Sequence, residues 1–273
     1  MTESARRQAD ARRRWLRASL LLAMTAGSGV LAQGTAQQVV RVGFIANYEP
    51  FSFLGKDQRL TGFDVDVVRV LLESLGMTMQ AEFGRFEQLR AKAQAGELDL
   101  VGNQLLLLPE NRRWFDFVRP YANMQLVCVQ HEDDERDFLS LDDFLGKRLG
   151  VLRHTGMEEQ ARGALGNGVV AFDRLGQALA ALRDRKVDAV LEESLIAEYQ
   201  IERDDLPLKL GAPMTAAYKV GLGVTKGNKA LQSALSEGVA VLLKRPEFRQ
   251  ISRRWFGHDV SKPRVSHVSA SID

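Results

Sequence analysis

The feature that most constrains this 273-residue chain is a β-α rhythm that runs, stops and restarts. VVRVGFI (39–45) is β-rich. GFDVDVVRVLLESLG (62–76) carries Val67, Leu71 and Leu75 every four residues, with Val68 and Leu72 widening the same stripe, which is a helical period. Asp64 and Asp66 sit where the helix dipole favours acids, and Gly76 is a terminator. MTMQAEFG (77–84) alternates as a strand, FEQLRAKAQAG (86–96) is helical, and DLVG (99–102) is a short buried strand. Pro50 forbids regular continuation of the first strand, and GKDQRLTG reads as a turn or hairpin tip. This β-α-β-α-β order predicts an open α/β sheet with right-handed crossovers.

After Pro109 the chain crosses to something new. MQLVCVQ (124–130) is a strand, and SLDDFLG is a short helix with Ser140 as N-cap. RLGVLRH, GVVAFD and DAVLEE are strands that alternate with the helices GMEEQARGAL, RLGQALAALRDRK and SLIAEYQIER, the last opened by Ser194. KVGLGVTK is strand-like, and NKALQSALSEGVAVLLKR and PEFRQISRRWFG close the pattern. Two β-α blocks joined by two extended crossings predict two lobes, the segment after Tyr218 returning to the first. Ligands in such sheets bind outside the carboxyl ends of the strands.

Composition is that of an ordinary globular chain, 45% apolar and 26% charged. The N-terminus differs. A basic segment (RRQADARRRWLR) precedes an apolar one (ASLLLAMTAGSGVLA) and small residues, the parts of a secretory signal. Val30 and Ala32 suit cleavage after Ala32, with Gly34 and Ala36 as a second site. ARRRWLR loosely resembles a twin-arginine signal, and an uncleaved anchor is the alternative. The apolar part is shorter than the roughly 20 residues of a spanning helix. Residues 1–32 hold six arginines and two acids, so 37 basic and 35 acidic residues become 31 and 33, a net of −2. That balance argues against nucleic acid as a partner.

Cys128 is the single cysteine. Among aliphatics in LVCV it reads as a small buried hydrophobe rather than a nucleophile. HEDDERD (131–137) reads as a solvated charged loop, an acidic metal site being the alternative. His154 has no second ligand at a sensible spacing. No cofactor or metal is expected.

GFDVDVVRVLL, YEPFSF (48–53), FEQLRAKAQAGELDLV (86–101), RPYANMQLVCV (119–129), SLDDFLGKRLGV (140–151), ALAALRDRKVDAVLEE (178–193) and RRWFG (253–257) together resemble the family 3 extracellular solute-binding proteins, the periplasmic amino-acid receptors of ABC importers. The resemblance covers residues ~39–257. It implies a type II periplasmic-binding-protein fold: two open α/β sheets joined by a two-strand hinge. The expected organisation is a signal peptide at 1–32, a first lobe at 38–121 and 219–258, a second lobe at 122–218 and a flexible tail at 259–273. It further implies a periplasmic monomer that captures a small solute by hinge closure and delivers it to an inner-membrane ABC permease. A sensing or accessory role acting through a separate partner is an alternative, and a cyclohexadienyl-dehydratase-like enzyme on the same fold is another.

The resemblance also places the ligand residues. Tyr48 matches the aromatic that covers the ligand, and Phe86 the one that sandwiches it; core packing is the alternative for both. Glu193 matches the acid that takes the α-ammonium, or else is solvated. Ile45 stands where some cationic-amino-acid binders carry an acid. The family's carboxylate loop holds its ligand through a hydroxyl, backbone N–H groups and an Arg, because a guanidinium meets a carboxylate with two parallel hydrogen bonds. Here that loop runs from Asn103 and Gln104 through LLLLPENR. Leu106 takes the Thr position and Asn111 the Arg position, with Arg112 next door. Leu105 and Leu107 are expected to pack inward, and Leu106 and Leu108 to occupy places where hydroxyls line the cleft. In the facing lobe a Gly-Thr-Thr becomes His154-Thr155-Gly156. Gly156 would still offer a backbone N–H at a helix N-terminus, and Arg153 a new cation. The resemblance thus implies a pocket short of the cation that grips a ligand's acid group, with Arg112 or Arg153 as replacements.

Overall fold

The computed structural model describes residues 37–263. β-Branched and aromatic residues at alternating positions make β1 (Val39–Ile45), in which Val40, Val42 and Phe44 are buried. Three short strands follow: β2 (Asn47–Tyr48), β3 (Ser52–Leu54) and β4 (Leu60–Thr61). They pair as a small antiparallel sheet, with β3 leading into, and β4 closing, the stretch that reads as a turn or hairpin tip. Helix α1 (Phe63–Ser74) buries Val67, Val68, Leu71 and Leu72, the stripe read from the sequence. Its entry requires glycine. Gly62 has φ 138°, and a Cβ there would lie 2.2 Å from the Phe51 carbonyl oxygen. Next come β5 (Thr78–Gly84), α2 (Phe86–Gln94), β6 (Leu100–Leu106), β7 (Phe115–Phe117) and β8 (Ala122–Met124).

A second set begins at β9 (Leu126–His131) and continues through β10 (Leu149–Leu152), α3 (Gly156–Leu165), β11 (Val169–Phe172), α4 (Leu175–Arg183), β12 (Ala189–Glu193), α5 (Ser194–Arg203) and β13 (Leu208–Pro213). SLDDFLG forms a 3-10 turn over Leu141–Phe144, capped by Ser140 with Asp143 closing the capping box. The chain then returns as β14 (Tyr218–Thr225), α6 (Lys229–Leu242) and α7 (Pro246–Phe256).

The first sheet has the order β5-β1-β6-β14-β7, with β8 also on β14. Strand β1 runs parallel to β5 and β6, and β14 antiparallel to β6, β7 and β8. The second sheet has the order β11-β10-β12-β9-β13. The first sheet therefore runs on to Met124, three residues beyond the expected crossing, and the second starts at Leu126.

Helices cover both faces of each sheet, as strand alternation requires. Leu100 joins the core with α1, α6 and α7, whereas its neighbour Val101 joins the one with α2. In the second sheet Cys128 and Leu191 face α3, and Val129 and Val190 face α4. Cys128 is buried and its thiol pKa is pushed far up, chiefly by burial, consistent with an inert core residue. The charged loop at 131–137 is held by ion pairs, Asp134 to Arg136 and Asp133 to Arg185. No group of three metal-ligating side chains occurs among the described residues.

Two corrections concern helix and chain ends. Ser194 is the first residue of α5, and Glu193 is its N-cap. The Ser194 hydroxyl instead accepts from the Gln125 N–H at 3.3 Å, fastening α5 to the crossing. The tail expected from residue 259 is held at its first residues. Val260 is buried in the first core, its N–H donates to Ser252 Oγ, and its carbonyl accepts from the Asn123 N–H. The rest of that tail beyond residue 263, and the signal expected at 1–32, lie outside the described residues.

Candidate functional site

Strand β6 lies at the middle of the first sheet and ends at the crossings, so its last residues open into a cavity of about 220 Å³. Asn103, Gln104 and Leu106 line it from β6, Tyr48 from β2, Phe86 from the start of α2, Asn111 from the turn after Pro109, and Glu193 from the end of β12. Seven sequence-predicted site residues are thus brought together, joined by Ile45, Leu105 and Met124.

Several of these polar groups already hold one another. Asn103 Oδ1 accepts from the Ile45 N–H at 2.8 Å, and its Nδ2 donates to Ser52 Oγ at 2.7 Å; Ser52 donates in turn to the Ile45 carbonyl. This circuit ties β6 to β1 and β3 at the cavity floor. Gln104 Nε2 donates to Asp64 Oδ1 at 2.9 Å, and the Tyr121 hydroxyl donates to the same oxygen at 2.6 Å. Burial pushes Asp64 up to about 7 against the pull of these two donors. Asp64 Oδ2 and Gln104 Oε1 remain unpaired. The sequence marked Asp64 only as a first-turn acid, and nothing local announced that a tyrosine 57 residues away would bind it.

Asn111 occupies the family's Arg position but donates its Nδ2 to the Leu106 carbonyl at 2.9 Å. It closes the turn rather than facing a ligand with its amide hydrogen. Tyr48 rests against Phe51 with ring centroids 4.9 Å apart, and Phe86 lies 6.5 Å from Phe115. Both rings therefore wall the cavity and also pack on the cores beneath it.

Glu193 differs from the rest. Its carboxylate has no hydrogen-bond or ion-pair partner among the described residues, and burial alone raises it to about 7. The adjacent Glu192 is also raised to about 7 by burial, opposed by the Glu193 N–H bonded to its Oε1 at 2.8 Å. These acids push Tyr48 well above its usual range, after burial itself. Among the described residues no Lys, Arg or His lines this cavity.

The second-lobe loop does not join the site. Arg153 bonds Asp173 at 3.0 Å and the Ala171 carbonyl at 3.1 Å. Thr155 caps α3, accepting from the Glu158 N–H and donating to the Leu152 carbonyl. Gly156 opens α3 beside Glu158, whose carboxylate accepts from the His154 N–H at 2.7 Å. None of the three lines the cavity. Arg112 lies apart as well, in a neighbouring cavity with Leu107 and Leu108. Leu105 is buried, as expected, and Leu106 lies between the two cavities.

Two open α/β sheets linked by paired crossings, with a cavity at the strand ends between them, define a type II periplasmic binding protein. The profile of the bacterial extracellular solute-binding proteins, family 3, matches residues 40–258, and the chain belongs to that family. It is similar to the L-cystine-binding protein TcyJ of Escherichia coli (strain K12), 28% identical over 238 residues, covering 87% of this chain and 90% of the relative. It is also similar to an L-arginine-binding protein of Pseudomonas aeruginosa, 27% identical over 235 residues, with 82% and 90% covered. Among solved structures, the L-cystine solute receptor of Neisseria gonorrhoeae in its unliganded open conformation superposes with a TM-score of 0.73 at 28% identity, over 84% of this chain and 96% of that one. These relatives are named as binding proteins or receptors, and the chain is a solute-capture protein of that family.

Proposed function

We propose that the solute is a small ammonium-bearing molecule, an amino acid or a less anionic relative, with Glu193 taking the ammonium and Tyr48 and Phe86 walling its apolar part. One observation carries this reading: a carboxylate without a partner faces a cavity that holds no cation. A buried acid in that setting gains most from a cation that arrives with the ligand. Asn103, Gln104 and Asn111 then shape the floor. In this reading the lobes at 38–121 with 219–258 and at 122–218 close on the solute, and a monomer exported by residues 1–32 presents it to an inner-membrane permease. The L-cystine and L-arginine named for the relatives both carry such an ammonium. The test is a thermal-shift screen of amino acids, amines and amine-free organic acids; at 100 times Kd a ligand adds about 2.7 kcal/mol. Amino acids and amines are expected to raise Tm, and Glu193→Gln to remove the response. Stabilisation by amine-free acids alone would refute it.

A further inference from the structure

Beside the first cavity lies a second of about 250 Å³, and Leu106 is a wall of both. Its other walls are Leu107, Leu108, Arg112, Tyr218 and Lys219, with Ala217. Its charge is opposite to that of its neighbour. Two cations line it and no acid does, while the first cavity is lined by Glu193 and no cation. Neither Arg112 nor Lys219 has an ion-pair partner among the described residues.

The backbone segments that carry the two cations are held in place. Strand β6 pairs antiparallel with β14 so that Leu106 faces Val220, and the Leu107 N–H donates to the Lys219 carbonyl at 3.2 Å. This places Lys219 across from the leucine run. The turn over Asn111–Arg113 is fastened at two points: Asn111 Nδ2 to the Leu106 carbonyl at 2.9 Å, and Lys226 Nζ to the Arg112 carbonyl at 2.6 Å. The Arg112 guanidinium stacks on Phe117, 5.7 Å from the ring centroid, which limits its freedom while leaving its N–H edges available. Both side chains are exposed, and a guanidinium resting on a ring with an ammonium at the same cavity offers a seat for a carboxylate.

We propose that this second cavity is an acid-binding subsite of the same ligand site. The solute is then elongated: an ammonium at one end meets Glu193, and an acid group remote from it meets Arg112 and Lys219, the apolar arm passing over Leu106. The proposal rests on the ammonium reading of Glu193. It accounts for the leucines at 105–108. They provide an apolar saddle between two charged ends, where hydroxyls would favour a compact head group bound in one place.

The test is isothermal titration calorimetry on the purified protein with two probes. L-Cystine has two amino-acid heads joined through a disulfide arm, and S-methyl-L-cysteine keeps one head and ends after the first sulfur. The wild-type protein is expected to bind L-cystine more tightly by about tenfold or more, the worth of one charged hydrogen-bonded contact. Arg112→Gln and Lys219→Gln are each expected to weaken L-cystine by about tenfold and to leave S-methyl-L-cysteine unchanged. Glu193→Gln should weaken both probes. Unchanged L-cystine binding in Arg112→Gln and Lys219→Gln, with both probes lost in Glu193→Gln, would overturn the subsite and spare the ammonium reading. No effect of Glu193→Gln would overturn that reading itself. Wild-type protein that binds neither probe, or binds the two equally, also overturns the subsite.

Discussion

A buried carboxylate without a partner weakens the fold that holds it, and for Glu193 this can be measured. Glu193 is raised from its ordinary 4.5 to about 7 by burial. In the unfolded chain its carboxyl ionises near the ordinary value, and in the fold only near 7. The stability linked to this group is therefore fully present below about pH 4.5 and lost as the pH climbs through 7. At about 1.4 kcal/mol per tenfold change in proton affinity, the full effect is about 3 kcal/mol at pH 8. Glu193 is partly open to solvent and Glu192 titrates in the same range, so screening and coupling reduce it to about 2 kcal/mol. Glutamine has the same shape and no charge to desolvate. Ligand-free Glu193→Gln is therefore expected to be more stable than the wild type by about 2 kcal/mol at pH 8, falling to about 0.5 kcal/mol at pH 5. For a chain of this size that is a Tm rise of about 4–8 °C at pH 8 and about 1–2 °C at pH 5. Differential scanning fluorimetry at both pH values, without ligand, reads it directly. Equal Tm at pH 8, or a gap that does not shrink with acid, would show that Glu193 is not a desolvated carboxylate, and the reason for assigning it the ammonium would fall with it.

Two further variants give separate expectations. Tyr121→Phe removes the hydroxyl that donates to Asp64. It should destabilise the protein by about 1–3 kcal/mol and raise the Asp64 pKa above its present value of about 7, so that the loss grows as the pH passes 7; urea denaturation between pH 6 and 9 would show this. The double change Leu106→Thr with Asn111→Arg restores a hydroxyl and a guanidinium in the first cavity, at the cost of the Asn111 bond to the Leu106 carbonyl. It should tighten binding of simple amino acids by about tenfold or more, and unchanged affinity in calorimetry would show that the loop register read from the sequence is wrong.

What the sequence revealed follows from the range of the forces involved. The α1 stripe, the alternation of β1 and the β-α order are local periodicities, and burial selects for them directly. Between Asn47 and Thr61 only the turn or hairpin tip was legible, not the extents of the three strands, because two or three residues carry no period. Ser194 looked like a cap because cap preference is statistical; the Gln125 N–H claimed its hydroxyl instead. Arg153 looked like a spare cation because Asp173, twenty residues on, is brought beside it only by the parallel pairing of β10 with β11.

The same reasoning explains why the missing cation and the neighbouring Arg112 were legible and Lys219 was not. Asn111 at an Arg position is a fact about one residue, visible in any reading of the loop. Lys219 stands 107 residues beyond Arg112, and the antiparallel register of β14 on β6 is what sets the two around one cavity. Within that pairing position 223 is a glycine: a Cβ there would come within 2.7 Å of the Leu105 side chain and 2.8 Å of the Phe115 ring, which cover that face of β14. Which charged side chains share each of these two cavities is thus decided by backbone pairing at a distance. A change at Gly223 should therefore disturb Lys219 and the second cavity before it touches Glu193, whose carboxylate is placed by the other sheet.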